Sequence, residues 1–401
     1  MKTHIVIGSS AVGISVLSQL RKLDANSKII CITKSQFYPY NTCLLADYLT
    51  GEKTLEDITI KDEKFFTESK IEYLKNSNVT NIDTKNKFVI LQNNQKIFFD
   101  TLTLGVGANN IIPSNVNIQE NIGIFFFKTL EDTNHILQFI KKENCTTATV
   151  LGTGLVGMEI AESLSKLGLK VNLIGRSNQL MSKLLDNDAA EIIEKKLQNK
   201  NITFYKNETL EDVTCENNKI KKVKLQNNQT ISTDLLIIAS GSAPNLDLAQ
   251  NSGIEICEKG IVVDQFFQTN IKDIYAAGDA IAVKDILSGN IISSCTWPDA
   301  IMQGILIANS ITNKRKEYKG ALISFSSKIF ETYFASCGQI ANTPSNFKHI
   351  VKSDGINYYR KFLLHENKLK GFLILNNNPI NFGIYRKMIL DQKEISESNL
   401  L

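Results

Sequence analysis

At the start of the chain, two short apolar runs flank one amphipathic segment. The runs are Ile5–Ile7 and Ile29–Ile32, and between them Leu17, Leu20 and Leu23 recur at helical spacing. Fully apolar runs of this length are typical of strands buried on both faces, and apolar residues every three or four positions are typical of a helix. The pattern therefore predicts a strand, a turn, a helix and a second strand within about 30 residues.

The turn of this first unit carries a glycine pattern that can bind a dinucleotide. Its sequence is Gly8-Ser9-Ser10-Ala11-Val12-Gly13, with the first and last glycines of the G-x-G-x-x-G fingerprint and serine at the middle position. In such a unit the free backbone N–H groups at the helix N-terminus receive a pyrophosphate, and the glycines let the backbone approach it. Because serine is small, we expect Ser10 to be tolerated there.

A second unit of the same kind follows, with all three glycines in place. The apolar run Ala148–Leu151 leads into Gly152-Thr153-Gly154-Leu155-Val156-Gly157, a helix is predicted over Met158–Leu167, and Val171–Ile174 is the next strand. One fingerprint alone is weak support for nucleotide binding, because glycine-containing loops match it by chance. Two copies in correctly sized units are stronger support and predict two dinucleotide-binding domains.

Three later segments are apolar strands with a glycine near the end: Phe99–Ala108, Thr233–Gly241 and Ile274–Asp279. The first two follow Asn-rich, hairpin-like regions. We interpret them as the crossover strands that complete the sheet of each nucleotide-binding half. The third ends in Gly278-Asp279, where a carboxylate can accept hydrogen bonds from sugar or ribityl hydroxyls. The alternative for Asp279 is a simple helix N-cap.

Composition and charge narrow the function classes. At about 100–200 residues per domain, a chain of 401 residues corresponds to about two to four domains. The chain is 43% hydrophobic and 21% charged, as is typical of globular proteins, and its net charge of +4 is too small to indicate nucleic acid binding. No run approaches the roughly 18 apolar residues of a membrane span, and no cleavable leader precedes the first strand. We therefore expect a cytoplasmic protein that binds neither nucleic acid nor membrane.

Cysteine and histidine usage argues against a disulfide framework and against a bound metal. The four histidines are scattered, and the seven cysteines form no C-x-x-C pair. Cys337 lies on a predicted strand, where core packing is its expected role. The cysteines are Cys31, Cys43, Cys145, Cys215, Cys257, Cys295 and Cys337.

In this order, the segments resemble the pyridine nucleotide-disulfide oxidoreductase superfamily, flavoproteins with two dinucleotide-binding domains. The resemblance covers nearly the whole chain and is strongest to NADH:rubredoxin reductases and to the flavoprotein portion of NAD(P)H nitrite reductases. It implies an α/β fold with Rossmann-like domains: residues 1–110 and 240–316 for FAD, the inserted residues 111–239 for NAD(P)H, and residues 317–401 for a small C-terminal α/β domain. Domains of this last type dimerise in some members, so the resemblance leaves both a monomer and a homodimer open.

The resemblance also implies the FAD-binding residues. Trp297 opens the segment Trp297-Pro298-x-Ala300-x-x-Gln303-Gly304, which resembles the one next to the flavin pyrimidine. A helix beginning near Pro298 would direct its positive end toward the N1–C2=O edge of the flavin, whereas the alternative for Trp297 is an interdomain core residue. The expected FAD ligands are Gly8, Ser9, Ser10, Ala11 and Gly13 at the pyrophosphate, Val79 at the adenine, Asp279 at the ribityl chain, and also Lys34, Thr42, Gly107, Gly278 and Trp297.

Glu159 follows the second fingerprint and is the candidate for orienting the nicotinamide. In similar enzymes an acid here lies near the flavin and the nicotinamide amide, where it helps to orient the ring for hydride transfer. Alternatively, Glu159 is a solvated first-turn acid stabilised by the helix dipole. The positions expected to bind NAD(P)H are Gly152, Gly154, Leu155, Val156, Gly157, Arg176, Ser177 and Gly241.

Both units lack the acidic residue that usually ends the second strand and binds ribose hydroxyls. The first strand ends Ile32-Thr33-Lys34-Ser35, so the adenosine ribose of FAD must be held by other groups. The second ends Leu173-Ile174-Gly175-Arg176-Ser177, where glycine removes charge repulsion, and arginine and serine add donors at the position of a 2′-phosphate. We therefore expect NADPH rather than NADH.

Cys43 is the candidate for covalent redox chemistry. Thr42-Cys43 replaces the Arg-Pro pair of rubredoxin- and nitrite-reductase-like members, and its position resembles that of the single redox-active cysteine of coenzyme A-disulfide reductases, NADH oxidases and NADH peroxidases. A thiolate at a helix N-terminus beside a flavin can attack a disulfide, persulfide or peroxide. Against this role, Leu44 follows the cysteine, Ala11 replaces a histidine, and the tail around Asn381–Arg386 resembles the rubredoxin-reductase type.

The resemblance as a whole implies an FAD-dependent NAD(P)H oxidoreductase. Hydride would pass from NAD(P)H to FAD, and electrons would pass on to a small redox protein such as rubredoxin or ferredoxin, or to a small-molecule acceptor. The first alternative is a thiol/disulfide-type reductase or NADH oxidase that uses Cys43. A more distant alternative is a non-catalytic flavin-binding signalling module, since fold alone does not determine function.

Overall fold

A computed structural model describes residues 1–114, 123–198, 200–293, 296–338, 340, 343, 345–396 and 400. The chain divides into two units. The first comprises Met1–Tyr48, Lys53–Asn109 and Ser242–Ile323, and the second comprises Leu49–Glu52, Asn110–Gly241 and Ser324–Leu401. Cys295, one of the seven cysteines, lies outside the described residues.

Strands and helices are numbered in chain order. Up to residue 110 they are β1 (Thr3–Ile7), α1 (Ala11–Leu23), β2 (Lys28–Ile32), α2 (Leu45–Thr50), α3 (Leu55–Ile58), α4 (Glu63–Glu68), β3 (Ile71–Leu74), β4 (Val79–Asp83), β5 (Phe88–Leu91), β6 (Lys96–Phe98), β7 (Thr101–Leu104) and β8 (Ala108–Asn110). From residue 123 to residue 241 they are β9 (Ile124–Phe126), α5 (Leu130–Glu143), β10 (Thr147–Leu151), α6 (Leu155–Lys166), β11 (Lys170–Gly175), α7 (Asn187–Leu197), β12 (Ile202–Lys206), β13 (Leu210–Glu216), β14 (Lys219–Leu225), β15 (Thr230–Ser232) and β16 (Leu235–Ile238). The remainder are β17 (Ser242–Pro244), α8 (Asp247–Asn251), β18 (Ile256–Cys257), β19 (Gly260–Ile261), β20 (Ile274–Ala276), β21 (Ala282–Lys284), β22 (Ile291–Ser293), α9 (Trp297–Ile311), β23 (Ser324–Ile329), β24 (Thr332–Cys337), β25 (Lys348–Ser353), β26 (Tyr359–His365), β27 (Lys368–Asn376) and α10 (Gly383–Asp391).

The first unit is built on a parallel five-stranded sheet in the order β20-β7-β1-β2-β3. Its central strands are apolar because strands of a parallel sheet are covered on both faces. Ile5, Ile30 and Leu102, for example, are at most 1% exposed. The predicted order of strand, helix and strand is confirmed by β1, α1 and β2.

Helices α1 and α9 pack against each other in this unit. Gly304 lies on α9 where the two helices approach most closely, since a Cβ there would lie 2.7 Å from the Val12 carbonyl oxygen and 2.8 Å from the Ser15 Cβ. α9 begins at Trp297 with Pro298 in its first turn, where the missing N–H of proline would have no helical partner in any case. The predicted start of this helix near Pro298 is therefore confirmed.

The second unit repeats the design of the first. Its parallel sheet has the order β12-β11-β10-β16-β9, and α6 follows β10, which confirms the second predicted βαβ unit. β13, β14 and β15 form a separate antiparallel sheet. Its first hairpin turns at Asn217 and Asn218, whose φ angles of 51° and 60° asparagine adopts more readily than most residues.

The C-terminal part of the second unit is an antiparallel sheet in the order β23-β24-β27-β26-β25, followed by α10. Asp186 before α7 joins this sheet to the part of the same unit that contains the parallel sheet. Its Oδ2 accepts hydrogen bonds from the buried Tyr359 hydroxyl at 2.6 Å and the buried Lys361 ammonium at 2.9 Å. Cys337 on β24 is 2% exposed and occupies the core position expected of it.

The described part of the chain has no helix that is both long and apolar enough to cross a membrane. Within the same residues, no group of three or more histidine, cysteine, aspartate or glutamate side chains has the geometry to hold a metal ion. None of the six cysteines that the structure describes is joined to another of them by a disulfide.

His4 makes the stability of the first unit depend on pH. Burial on β1 lowers the pKa of His4 below its ordinary value of 6.5, although the nearby Asp24 carboxylate opposes this shift. Because the unfolded chain then binds the proton more readily, the free energy of unfolding should fall as the pH drops below 6.5. Urea unfolding at about pH 7.5 and about pH 5.5 measures this loss, which should be smaller in His4→Gln. The exposed His349→Gln is the control, and an equal loss in His4→Gln and the parent protein would contradict the prediction.

Candidate functional site

The first glycine loop forms a tight cradle between β1 and α1. Gly8 has a positive φ of 96°, and a Cβ at Gly8 or Gly13 would overlap with the backbone carbonyl of Gly105 or Gly8, respectively. Only glycine fits at these two positions. α1 begins at Ala11, and the Ser10 side chain does not cap it, so the first N–H groups of the helix can receive an anionic ligand.

The second glycine loop has the same geometry between β10 and α6. A Cβ at Gly157 would overlap with the Gly152 carbonyl, and one at Gly152 would overlap with the Ala239 carbonyl. The middle glycine is different, because a Cβ at Gly154 would meet no atom within 4 Å. This open middle position explains why a side chain as small as that of Ser10 fits the corresponding place in the first loop.

A third glycine turn closes on the first cradle. Gly278 follows β20 with a positive φ of 76°, and its N–H donates a 2.8 Å hydrogen bond to the Gln303 Oε1. Gln303 lies on α9 and is 0% exposed, while a Cβ at Gly278 would lie only 2.8 Å from the Val12 Cγ2. Asp279, the predicted ribityl ligand, is half-buried next to this turn. Gln303 belongs to the segment Trp297–Gly304 that resembles the one next to the flavin pyrimidine, but no motif indicated its hydrogen bond to Gly278.

The end of β2 carries no carboxylate that could bind a ribose. Tyr73, which no sequence motif indicated, lies near this end. The Tyr73 hydroxyl on β3 is 3.1 Å from the Ser9 Oγ and 3.0 Å from the Phe37 carbonyl oxygen. Burial raises the pKa of Tyr73 well above its ordinary value, so the hydroxyl stays protonated at neutral pH. Of the predicted residues at this end, Lys34 is exposed and Val79 is buried. No motif links β3 to the glycine loop, which is why the sequence did not indicate Tyr73.

A groove of about 330 Å³ lies beside the start of α9. It brings together the predicted flavin segment that begins at Trp297 and the segment that precedes Cys43. Trp297, half-buried, lines it together with Asn41, whose Oδ1 accepts a 3.0 Å hydrogen bond from the Cys43 N–H. Cys43 is exposed in the 3₁₀ turn Thr42–Leu44. Among the described residues that line the groove there are two lysines and no carboxylate. They are Ile14, Ser15, Ser18, Gln19, Lys22, Asn41, Ile60, Lys61, Trp297, Ile301 and Ile305.

Glu159 in the first turns of α6 is held by the C-terminal sheet. Its Oε1 accepts a 2.7 Å hydrogen bond from the Ser327 hydroxyl on β23, and the side chain is half-buried. One helical turn later, the Glu162 carboxylate accepts a 2.8 Å hydrogen bond from the Phe330 N–H. The Ser327 contact limits the orientations open to Glu159, and no sequence motif indicated it.

The other predicted NAD(P)H positions lie in the first turn of α6 and on the loops after β11 and β16. Gly175 ends β11 and is buried, and Arg176 directly after it is exposed. Of the remaining positions, Val156 and Gly241 are exposed, while Leu155 and Ser177 are half-buried. In the first unit, Gly107 has a positive φ of 67° and no atom within 4 Å of where a Cβ would lie.

These features fit FAD in the first unit and a nicotinamide dinucleotide in the second. Each unit has an uncapped helix end behind a loop where close backbone approach excludes side chains. The first unit would hold FAD through the loop before α1 and through Gly278-Asp279. The second would hold NAD(P)H through the loop before α6, with Arg176 and Ser177 at the adenosine end.

Comparisons with known proteins find relatives over most of the chain. A family model described as pyridine nucleotide-disulphide oxidoreductase matches residues 2–304. The NADH oxidase of Methanocaldococcus jannaschii is 31% identical over 352 residues, which is 86% of this chain and 78% of the oxidase. Rubredoxin-NAD(+) reductase of Pseudomonas putida is 25% identical over 77% of this chain and 79% of its own length. Coenzyme A disulfide reductase of Staphylococcus aureus is 29% identical over 90% of this chain and 83% of its own length.

Solved structures share the fold. The covalent putidaredoxin reductase–putidaredoxin complex matches with a TM-score of 0.90 and 21% identity over 100% of this chain and 95% of that chain. An engineered water-forming NADPH oxidase bound to NADPH matches with a TM-score of 0.89 and 21% identity over 99% of this chain and 92% of that chain. These matches confirm the predicted α/β fold with two Rossmann-like domains.

The Gln303–Gly278 hydrogen bond should support both the fold and the flavin site. Gln303→Leu keeps the helix apolar but leaves the buried Gly278 N–H without this acceptor, so the free energy of unfolding should fall by about 1–3 kcal/mol. FAD affinity should fall with it, because Gly278 precedes the expected ribityl ligand. Urea unfolding and FAD titration of the apoprotein measure the two effects. The control is Met302→Leu at the exposed neighbouring position, and equal stability of the two variants would contradict the prediction.

Proposed function

Since the chain belongs to the pyridine nucleotide-disulphide oxidoreductase family of NAD(P)H-dependent flavoproteins, we propose that it passes electrons from NAD(P)H through FAD to a small redox protein such as rubredoxin or ferredoxin. The observation that carries the proposal is the presence of two separate glycine cradles in one chain. A protein that only binds a flavin needs one such cradle. The second one, with its uncapped helix α6, supports a role for a dinucleotide that delivers electrons.

The chain's own residues position the reactants. When bound, FAD would accept a hydride from NAD(P)H and release electrons one at a time. The Gln303–Gly278 hydrogen bond holds the turn that presents Asp279 to the ribityl chain. α9 begins at Trp297, and the positive end of its dipole would favour negative charge on the flavin pyrimidine. Glu159, restrained by Ser327, would orient the nicotinamide amide.

A small iron protein is the acceptor class that we favour. One relative is a rubredoxin reductase, and FAD suits such an acceptor because it can divide a two-electron hydride into single-electron steps. The net charge of +4 is compatible with an acidic carrier. Lys22 and Lys61 in the groove beside Trp297 add positive charge in the same unit as the flavin cradle.

NADPH is the nucleotide that the residues after β11 favour. Relatives are named for different nucleotides, since one is an NADH oxidase and another is an NAD(P)H nitrite reductase, and the solved structure that holds NADPH is of an engineered oxidase. The choice therefore depends on local residues. Gly175 offers no carboxylate to a ribose 2′-hydroxyl, and the exposed Arg176 can pair with a 2′-phosphate through two hydrogen bonds.

A second candidate function uses Cys43. Its exposure and the adjacent groove with Lys22 and Lys61 support a disulfide substrate with an anionic arm, and one relative is a coenzyme A disulfide reductase. The Cys43 thiolate would attack one sulfur of the substrate disulfide and release the other half as a thiolate, which takes a proton from water. Two electrons supplied by NAD(P)H through the flavin, and one proton, would then reduce the mixed disulfide to the second product thiol and the Cys43 thiolate.

Anaerobic titration with NADPH separates the two functions. We expect the flavin absorbance to bleach completely at one equivalent without a long-wavelength band, because the flavin alone stores the electron pair. The reduced protein should then reduce two equivalents of rubredoxin or ferredoxin, since each iron protein takes one electron. Cys43→Ser should behave like the parent protein in both steps.

Other outcomes of this titration would overturn the leading proposal. Uptake of a second equivalent by protein first treated with a small-molecule disulfide, lost in Cys43→Ser, would establish the disulfide reductase instead, because Cys43 stores an electron pair only by way of a mixed disulfide. A turnover rate equal to that of free FAD with every acceptor tried would favour the non-catalytic flavin-binding module.

Arg176 provides a separate test of nucleotide choice. Arg176→Ala should raise the KM for NADPH by about 10- to 100-fold, because a charge-assisted hydrogen bond is lost, and should change the KM for NADH little. Arg176→Lys should lie between the two, since lysine keeps the charge but not the forked geometry. Steady-state kinetics with each nucleotide measure these values. An equal rise for NADH and NADPH would contradict a 2′-phosphate contact.

A further inference from the structure

Gly175 at the end of β11 is surrounded by side chains that leave no room for a Cβ. A Cβ there would lie 2.6 Å from the Thr153 Cγ2, 2.9 Å from the Thr153 Oγ1 and 3.0 Å from the Phe204 Cε2. Gly175 is not among the glycines with a positive φ, so its backbone conformation is one that other residues adopt. Space alone therefore requires glycine at this position.

Thr153 makes two of these three contacts, and its side chain cannot easily move away from position 175. It lies in the second glycine loop between Gly152 and Gly154, is 9% exposed, and its carbonyl accepts a 2.8 Å hydrogen bond from the Met181 N–H. Threonine is β-branched, so rotation about χ1 moves one branch away only by bringing another into its place. Phe204 differs, because its contact is made by the far edge of a half-buried ring.

Position 175 is where nucleotide-binding units usually carry the carboxylate that binds the ribose hydroxyls. In this chain the Thr153 side chain occupies the space next to that position. We propose that Thr153 is a specificity-determining residue: it excludes a carboxylate at position 175 and thereby leaves recognition of the nucleotide 2′ group to Arg176. The proposal deepens the proposed function, on whose NADPH preference it rests.

The surroundings of Arg176 agree with this assignment. Its side chain is exposed, and no carboxylate of the described residues forms an ion pair with it. A carboxylate at position 175 would introduce such a partner and compete with a 2′-phosphate for the guanidinium. Exclusion of that carboxylate therefore keeps the guanidinium available to the nucleotide.

A double-mutant cycle tests the pair. The probes are ADP-ribose and 2′-phospho-ADP-ribose, which lack nicotinamide and so bind without reducing the flavin, and calorimetry with the FAD-loaded protein gives their affinities. We expect Gly175→Asp alone to weaken both probes by about tenfold or more, because the new side chain displaces Thr153 and its loop. Thr153→Ala combined with Gly175→Asp should restore ADP-ribose binding and reverse the preference for the 2′-phosphate.

Thr153→Val combined with Gly175→Asp is the matched control, because valine has the volume of threonine. It should bind as weakly as Gly175→Asp alone and should unfold at a lower temperature than the Thr153→Ala combination. If both combinations restore ADP-ribose binding equally, or if Gly175→Asp alone binds ADP-ribose as tightly as the parent protein, Thr153 does not set the specificity. Where Gly175→Asp fails to fold, the difference in Tm between the two combinations still decides whether Thr153 is the obstacle.

The proposed function fails in a different way. If the parent protein binds both probes equally, the NADPH preference is wrong. The ADP-ribose affinities of the Thr153→Ala and Thr153→Val combinations still report the Thr153–Gly175 contact in that case. Neither result depends on the identity of the electron acceptor, which these probes do not involve.

Discussion

One steric constraint underlies both nucleotide-binding loops, namely that the first turn of the helix packs directly on the carbonyl group at the end of the preceding strand. Gly13 rests on Gly8 in the first unit, and Gly157 rests on Gly152 in the second, with no space for a side chain at either contact. This packing directs the uncapped N–H groups of α1 and α6 into the loop. In each unit the strand that pairs beside the first one, β7 or β16, ends next to the same loop, as do the residues after β2 and β11.

The parts of the fold that depend on neighbouring residues were predictable from the sequence. The apolar runs, the glycine spacing and Pro298 in the first turn of α9 each express a local rule, and the structure agrees with all three. The contacts that complete the sites join residues far apart in the chain. Gln303 and Gly278 are 25 residues apart, Tyr73 and Ser9 are 64 apart, and Ser327 and Glu159 are 168 apart. Such contacts depend on how elements pack, and no periodicity or motif reports that.

Neither nucleotide-binding unit has a carboxylate at the end of its second strand, where such units usually bind a ribose. Where most such units offer an acceptor to the ribose, the first unit has the protonated Tyr73 hydroxyl beside the loop, and the second has the Arg176 guanidinium. The guanidinium is a hydrogen-bond donor, whereas the one proton of the Tyr73 hydroxyl is donated to the Phe37 carbonyl. Gly175 shows that the lack of a carboxylate in the second unit is built into the packing, since the Thr153 side chain fills the place a carboxylate would need.

The order of the chain segments has a consequence for biosynthesis. Residues 110–241 contain every strand of the second parallel sheet, whereas the first sheet takes its edge strand β20 from residues 274–276 and its turn support from Gln303. A chain emerging from the ribosome can therefore complete the second glycine cradle, which needs Ala239, before Gln303 can hold the Gly278 turn that closes on the first cradle. Strands β1, β2, β3 and β7 can pair with one another early, and only the outer edge of β7 must wait for β20. The last parts of the proposed flavin site are thus made after every strand of the sheet that carries the proposed site for the electron donor.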